Sequence, residues 1–140
     1  ITRAQMAALL TRARNLPTTS RSHFTDVAGS PHAAAINALA AAGITGGCGN
    51  DRFCPNHPVS RGQMATFLQR AWSLPDPPSG LLSRPSDTFT DIATSQHRTA
   101  INAIAQADIT RGCSNNRYCP NQGVTRAEMA SFLARTMNLV

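Results

Sequence analysis

The chain has 140 residues, a mass of 14.9 kDa and 41% hydrophobic residues, enough for one ordinary domain or a few short repeats sharing a core. Charged residues make up 14%, no charge block marks a disordered tail, and the longest apolar stretch, residues 33–44, is interrupted by Asn37 and too short to span a bilayer. All thirteen cations are Arg; against seven acids they give a net charge of +6.

The chain opens on Ile1, without a Met or a signal peptide, which reads as a processed chain or one cut from something longer. Thr2 and Gln5 fit a capping box, and Met6, Leu9, Leu10 and Ala13 then fall on one face, so residues 2–14 are expected to be helical. A short connector leads to Phe24-Thr25-Asp26-Val27. Ser30 suits an N-cap and Pro31 a first helical position. Ile36, Leu39 and Ala40 extend that helix over residues 31–42, and Gly43 can close it in a left-handed turn. Cys48 and Cys54 then bracket a loop rich in Gly and Asn. Ser60 and Gln63 form a second capping box, followed by the apolar stripe Met64, Phe67, Leu68 and Ala71, for a helix over residues 60–72. Pro75, Pro77, Pro78, Gly80 and Pro85 make residues 75–88 an exposed connector, with Leu81 and Leu82 able to pin it.

From Phe89 the order repeats. Helices are expected over residues 96–107, carrying Ile101, Ile104 and Ala105, and over residues 125–137, capped by Thr125 and Glu128 and carrying Met129, Phe132, Leu133 and Thr136. Asp108 stands where Gly43 stood and tolerates the same left-handed turn. Residues 24–74 and 89–139 align without a gap at 29 identities in 51 positions, a shift of 65. The opening Thr2-Arg3-Ala4-Gln5-Met6-Ala7 matches residues 60–65 and 125–130. Repetition on this scale means stacked copies of one unit. The organisation is then 1–16, the second half of a repeat; 17–74, a full repeat; 75–88, the connector; 89–140, a full repeat; together one module. The fold class is all-α. Three equivalent apolar stripes most simply bury against one another, so a central three-helix bundle with shorter outer helices is expected.

A cysteine pair that recurs inside each repeat is best satisfied locally, as Cys48–Cys54 and Cys113–Cys119. A disulfide over so short a loop contributes ~2 kcal/mol in the chain-entropy model and implies an oxidising compartment. Structural zinc is the rival. Its thiols usually stand two to four residues apart, whereas these have five between them. His57 has Gln122 as its repeat partner, and the recurring His32 and His97 sit at helix starts, away from the loops.

Nothing here resembles a catalytic constellation. The acids form no recurring pair suited to proton transfer, and there is no phosphate loop or nucleophile motif. The cations are spread singly along the chain, not clustered on one face as duplex nucleic acid demands. What recurs is one Arg in the first turn of each second helix: Arg3, Arg61 and Arg126. A helix N-terminus disfavours a cation, so an Arg kept there in three copies suggests a nearby carboxylate or a bound anion. Open N–H groups, the helix dipole and an Arg make an anion site.

Ordered motifs run through both copies: Phe-Thr-Asp at residues 24–26 and 89–91; the helix-ending Gly-Ile-Thr at 43–45 and Ile-Thr at 109–110; Phe/Tyr-x-Pro-Asn at 53–56 and 118–121; and Val-Ser-Arg-Gly-Gln-Met-Ala or Val-Thr-Arg-Ala-Glu-Met-Ala at 59–65 and 124–130. This series resembles the S-layer homology (SLH) repeat, over nearly the whole chain outside the connector. Gly62 departs from the usual Ala, Gln5 and Gln63 from Glu, and the paired cysteines are not a general feature of the family. The resemblance implies three repeats about a pseudo-threefold axis and non-catalytic, non-covalent anchoring to an acidic, often pyruvylated, bacterial cell-wall polysaccharide. It implies a secreted, cell-surface location, with no cofactor, membrane or nucleic acid required. It also places Arg3, Arg61 and Arg126 in grooves between motifs, against the ligand's acidic group, with Asp26 and Asp91 nearby. SLH-like repeats are also appended to enzymes or serve protein assembly, so a structural module on a larger surface protein is the alternative.

Overall fold

A computed structural model describes residues 1–19, 21–77 and 87–139. Over these residues the chain is all-helical, with α1 (Arg3–Arg14), α2 (Ala33–Ala41), α3 (Arg61–Ala71), α4 (Arg98–Gln106) and α5 (Arg126–Thr136), joined by loops that share only isolated bridges. Most of the Pro-rich connector, Leu81 and Leu82 included, lies outside the described residues. No described helix is long and apolar enough to cross a membrane.

The capping boxes work as their chemistry requires. Thr2, Ser60 and Thr125 each accept from the N–H three residues on, and Gln5, Gln63 and Glu128 accept in return from the cap's own N–H. Gln serves here as well as Glu because only the carbonyl oxygen is needed. The outer helices depart from expectation. Ser30 and Ser95 do not cap them; their hydroxyls accept from the N–H of His32 and His97, two residues on, at 3.1 and 3.0 Å. This local turn competes with the helix. It leaves Pro31 ahead of α2, and puts His32 and His97 at the cap positions without a side-chain bond. Gly43 and Asp108 do close the helices in left-handed turns, at φ 75° and 62°.

The chain divides into two compact units, Ile1–Val59 and Ser60–Val140. Each unit joins the second helix of one repeat to the first half of the next. In the first, α1 packs on α2 and buries Met6, Leu10, Ile36 and Leu39 completely. In the second, α3 packs on α4, and Met64, Leu68, Ile101, Ile104 and Met129 are equally buried.

Each unit ends its first half in a disulfide loop. Cys48–Cys54 and Cys113–Cys119 are joined locally, with Cα atoms 6.1 Å apart in both. All four cysteines are therefore paired, which leaves no thiolate for zinc. Inside each loop the chain reverses over two left-handed residues, Asn50-Asp51 (φ 52°, 57°) and Asn115-Asn116 (φ 33°, 64°). Asn and Asp are the side chains that tolerate this conformation, and its hand matches a tight hairpin. Gly47 and Gly112 cannot be replaced as easily. At φ 92° and 91°, a Cβ there would stand 2.5 Å from the carbonyl oxygen of Arg52 or Arg117 and press on the ring of Phe24 or Phe89.

Candidate functional site

The two arginines at the starts of α1 and α3 are buried, at 5% and 3% exposure. Arg3 donates from Nε to the carbonyl oxygen of Phe53 at 2.7 Å, and its guanidinium lies 4.6 Å from that ring's centre. Arg61 does the same at Tyr118, with the same two distances. The aromatic residue is gripped from its other side as well. Asp26 accepts from the N–H groups of Phe53 and Cys54, each at 2.8 Å. Asp91 accepts from those of Tyr118 and Cys119, each at 2.8 Å. Arg and Asp, far apart in sequence, thus meet on one peptide segment, the Arg on its carbonyl and the Asp on its amides.

That double grip explains two local oddities. Cys54 and Cys119 both adopt φ 59°, a conformation costly for a side-chain-bearing residue. It turns their N–H groups to the carboxylates. Burial pushes the Asp26 carboxyl up, but the amides of Phe53 and Cys54 and the charge of Arg52 outweigh it and hold it below its ordinary range. At Asp91, burial is outweighed by Tyr118, Cys119 and Arg117 in the same way.

The helix starts are occupied by protein. In the first unit the N–H groups of Arg3 and Ala4 donate to His57 and Pro55; in the second, those of Arg61 and Gly62 donate to Gln122 and Pro120. With the third amide taken by the cap hydroxyl, neither helix start offers open N–H groups to an anion, contrary to the sequence expectation. The reason is the half-repeat that follows: its loop carbonyls reach the helix start first. Among the described residues no such loop meets the start of α5, and the Arg126 side chain is exposed.

Arg61 has a further partner that the sequence assigned only to capping. Its Nη1 donates to Oε2 of Glu128 at 2.9 Å, while Oε1 accepts from the Thr125 N–H. Burial pushes the Glu128 carboxyl up, but Thr125 and Arg61 together bring it below its ordinary range. Phe132 adds a second ring 5.4 Å from the guanidinium. Tyr118 closes the cluster by donating its hydroxyl to the Arg61 carbonyl at 2.8 Å; burial drives its pKa far up, so the phenol stays protonated.

Two open pockets flank this cluster in the second unit. A small one, of about 170 Å³, is lined by Arg61, Thr110, Gly112, Glu128, Ser131, Phe132 and Arg135. A larger, strongly polar groove of about 490 Å³ runs past Ser60, Gln63, Asp91, Ser95, His97 and Asn121. Among the described residues no cluster of three or more His, Cys, Asp and Glu is placed to hold a metal ion. The sequence named Arg61 and Asp91 but missed Arg135, Thr110 and the aromatic platforms. Their signal was present only as repeated positions: Arg70 with Arg135, Thr45 with Thr110 and Phe53 with Tyr118.

The S-layer homology domain model matches residues 23–65 and 88–130, more than half of the chain. The chain belongs to this family. It is 31% identical over 139 residues, 97% of its length, to the S-layer protein sap of Bacillus anthracis, covering 16% of that protein. It is 31% identical over 116 residues, 81% of its length, to a cell surface protein of Thermoanaerobacter kivui, covering 15% of it. A shorter match, 39% over 62 residues, joins 44% of the chain to 5% of endo-1,4-beta-xylanase A from Thermoanaerobacterium saccharolyticum. The chain therefore spans about a sixth of the length of the curated surface proteins it matches, and its family places it at the cell surface.

Proposed function

We propose that the chain is a non-catalytic anchoring module that holds a larger surface protein to an acidic polysaccharide of the bacterial cell wall. The observation that carries this reading is the small pocket of the second unit, which Arg61 and Arg135 both line beside a single acid, Glu128, that pairs with Arg61. Glu128 already engages Arg61 through one oxygen and the Thr125 amide through the other. An anionic sugar substituent entering the pocket would meet the outer edge of Arg61, Arg135 and the Thr110 hydroxyl. Arg suits this task because its planar fork can bind a carboxylate through two hydrogen bonds. The family match and the S-layer relatives support the reading.

The test is co-sedimentation with purified cell-wall sacculi of a Bacillus species, before and after extraction of their polysaccharide. The chain should pellet with intact sacculi and stay soluble with extracted ones. Ser131→Phe, at an exposed rim position, should fill the pocket and reduce pelleting several-fold without lowering the melting temperature. Equal pelleting with both preparations would overturn the proposal.

An assembly module is the second reading, and one observation favours it. Ala4, Ala7 and Ala8 of α1 and Gly62 and Ala65 of α3 are buried, but the matching Ala127, Ala130 and Ser131 of α5 are exposed. Pelleting with neither preparation would move this reading ahead.

A further inference from the structure

His97 stands in the seam between α3 and α4, where a charged ring is poorly placed. It is the cap residue of α4 and makes no side-chain bond to that helix's amides. It therefore sits at the positive end of the helix dipole, which disfavours a cation. Toward α3, its Nδ1 lies 2.8 Å from the Thr66 hydroxyl. A Cβ at Gly62 would come within 2.9 Å of the ring carbon Cδ2. The absent side chain lets the half-buried imidazole lie close against α3, where Thr66 fixes its rotation. The first unit has Ala4 and Ala8 where the second has Gly62 and Thr66. The glycine gap and the hydroxyl are therefore not demanded by the repeat; they belong to the second unit.

The charges around the ring do not favour its protonation either. Burial, reinforced by Arg70 one turn beyond Thr66 on α3, holds the imidazole below its ordinary value of 6.5. Arg98, next along α4, is committed to Asp87. Asp91 lines the groove beside His97, but both its oxygens accept from the amides of Tyr118 and Cys119. Among the described residues the imidazole has no carboxylate partner. A neutral ring can accept from the Thr66 hydroxyl or donate to it, whereas a protonated ring can only donate.

We propose that His97 is a pH-responsive latch of the second unit: neutral, it seals α4 onto α3 against Gly62 and Thr66; protonated, it is driven toward solvent and lets α4 open more often. The latch does not depend on what the module binds. Its sign follows from linkage. A histidine held below its ordinary value takes up more protons with the seam open than closed. The seam therefore weakens as pH falls through 6.5 toward the lower closed-state value, and the loss is complete below it. This window lies above the one in which carboxylates titrate.

The experiment follows the whole chain by nuclear magnetic resonance from about pH 7.5 to about pH 5, a range that spans histidine titration. The His97 ring signals give its midpoint. Hydrogen exchange of the α4 amides, corrected for the pH dependence of exchange in an unstructured chain, gives the opening of the seam. His97 should titrate below 6.5, and α4 should open several-fold more often at the acid end. His97→Gln keeps a polar side chain but cannot titrate, and its α4 should respond to pH no further. Arg70→Gln, at an exposed position, should raise the His97 midpoint and shrink the response. Gly62→Ala should do both as well, because it lifts the ring off α3. Arg70→Gln leaves the ring and its seam in place, so the charge argument is tested even where His97→Gln weakens packing. A pH response of α4 that survives in His97→Gln would overturn the latch. So would α4 opening in the parent that does not change with pH, a His97 midpoint at or above 6.5, or a midpoint that Arg70→Gln leaves in place.

Discussion

Phe53 and Tyr118 are the residues on which each unit turns, although neither carries a charge. A buried guanidinium needs acceptors for its N–H groups and a polarisable surface for its face. The carbonyl and ring of one aromatic residue supply both. This changes what an alanine scan will report. Arg61→Ala would leave the Tyr118 carbonyl without its donor, Glu128 without its cation, and a void beneath two rings. A loss of about 2–4 kcal/mol is expected, measured by urea unfolding. Arg126→Ala, at an exposed position, should stay within about 0.5 kcal/mol of the parent. The three arginines look identical in sequence. What separates Arg3 and Arg61 from Arg126, among the described residues, is the loop whose carbonyls meet their helix starts, and that information is not local.

At the scale of the element, the helices were largely legible and the loops were not. Capping boxes and apolar stripes are local codes, so α1, α3 and α5 begin and end within a residue of expectation. The outer helices start later because a Ser can bond either forward into a helix or to its own turn, and sequence spacing does not choose between them. The disulfide pairing was legible from repetition, but the role of the loops was not. Each loop carries the carbonyl that holds an Arg and the amides that hold an Asp. Reduction is nonetheless expected to leave the helices standing, because each closed loop contributes only ~2 kcal/mol and the buried faces of α1 to α5 do not depend on it. Far-ultraviolet circular dichroism should change little on reduction at room temperature, while proteolysis within the Cys48–Cys54 and Cys113–Cys119 loops speeds up. Loss of the helical signal would show the loops to be the foundation of each unit.

Across the whole molecule the charges lean one way, thirteen Arg against seven acids. Three of those acids, Asp26, Asp91 and Glu128, have carboxyls held below their ordinary range by amides and arginines. Such groups bind fewer protons folded than unfolded, so stability rises with pH through the acid region. Their contribution is complete above the ordinary carboxyl values near 3.8 and 4.5 and is lost as pH falls through the lower folded ones. Melting temperature should therefore hold between pH 7 and 5 with respect to these carboxyls and drop steeply below about pH 4. Asp91→Asn should flatten that drop while lowering the plateau.

The half-repeat offset between the compact units and the motif has a consequence for how such chains can be edited. A unit is completed only when the tail of one copy meets the head of the next, as links do in a bicycle chain. A duplication or deletion of 65 residues with its break within residues 24–74 therefore rejoins a tail to a head, whereas the spacing from Thr2 to Ser60 is 58. Breaks made at the visible motif borders gain no advantage over breaks elsewhere in that range. Copy number can drift by unequal crossover without a dedicated junction, while any edit that is not a whole period strands a helix such as α3 without its α4.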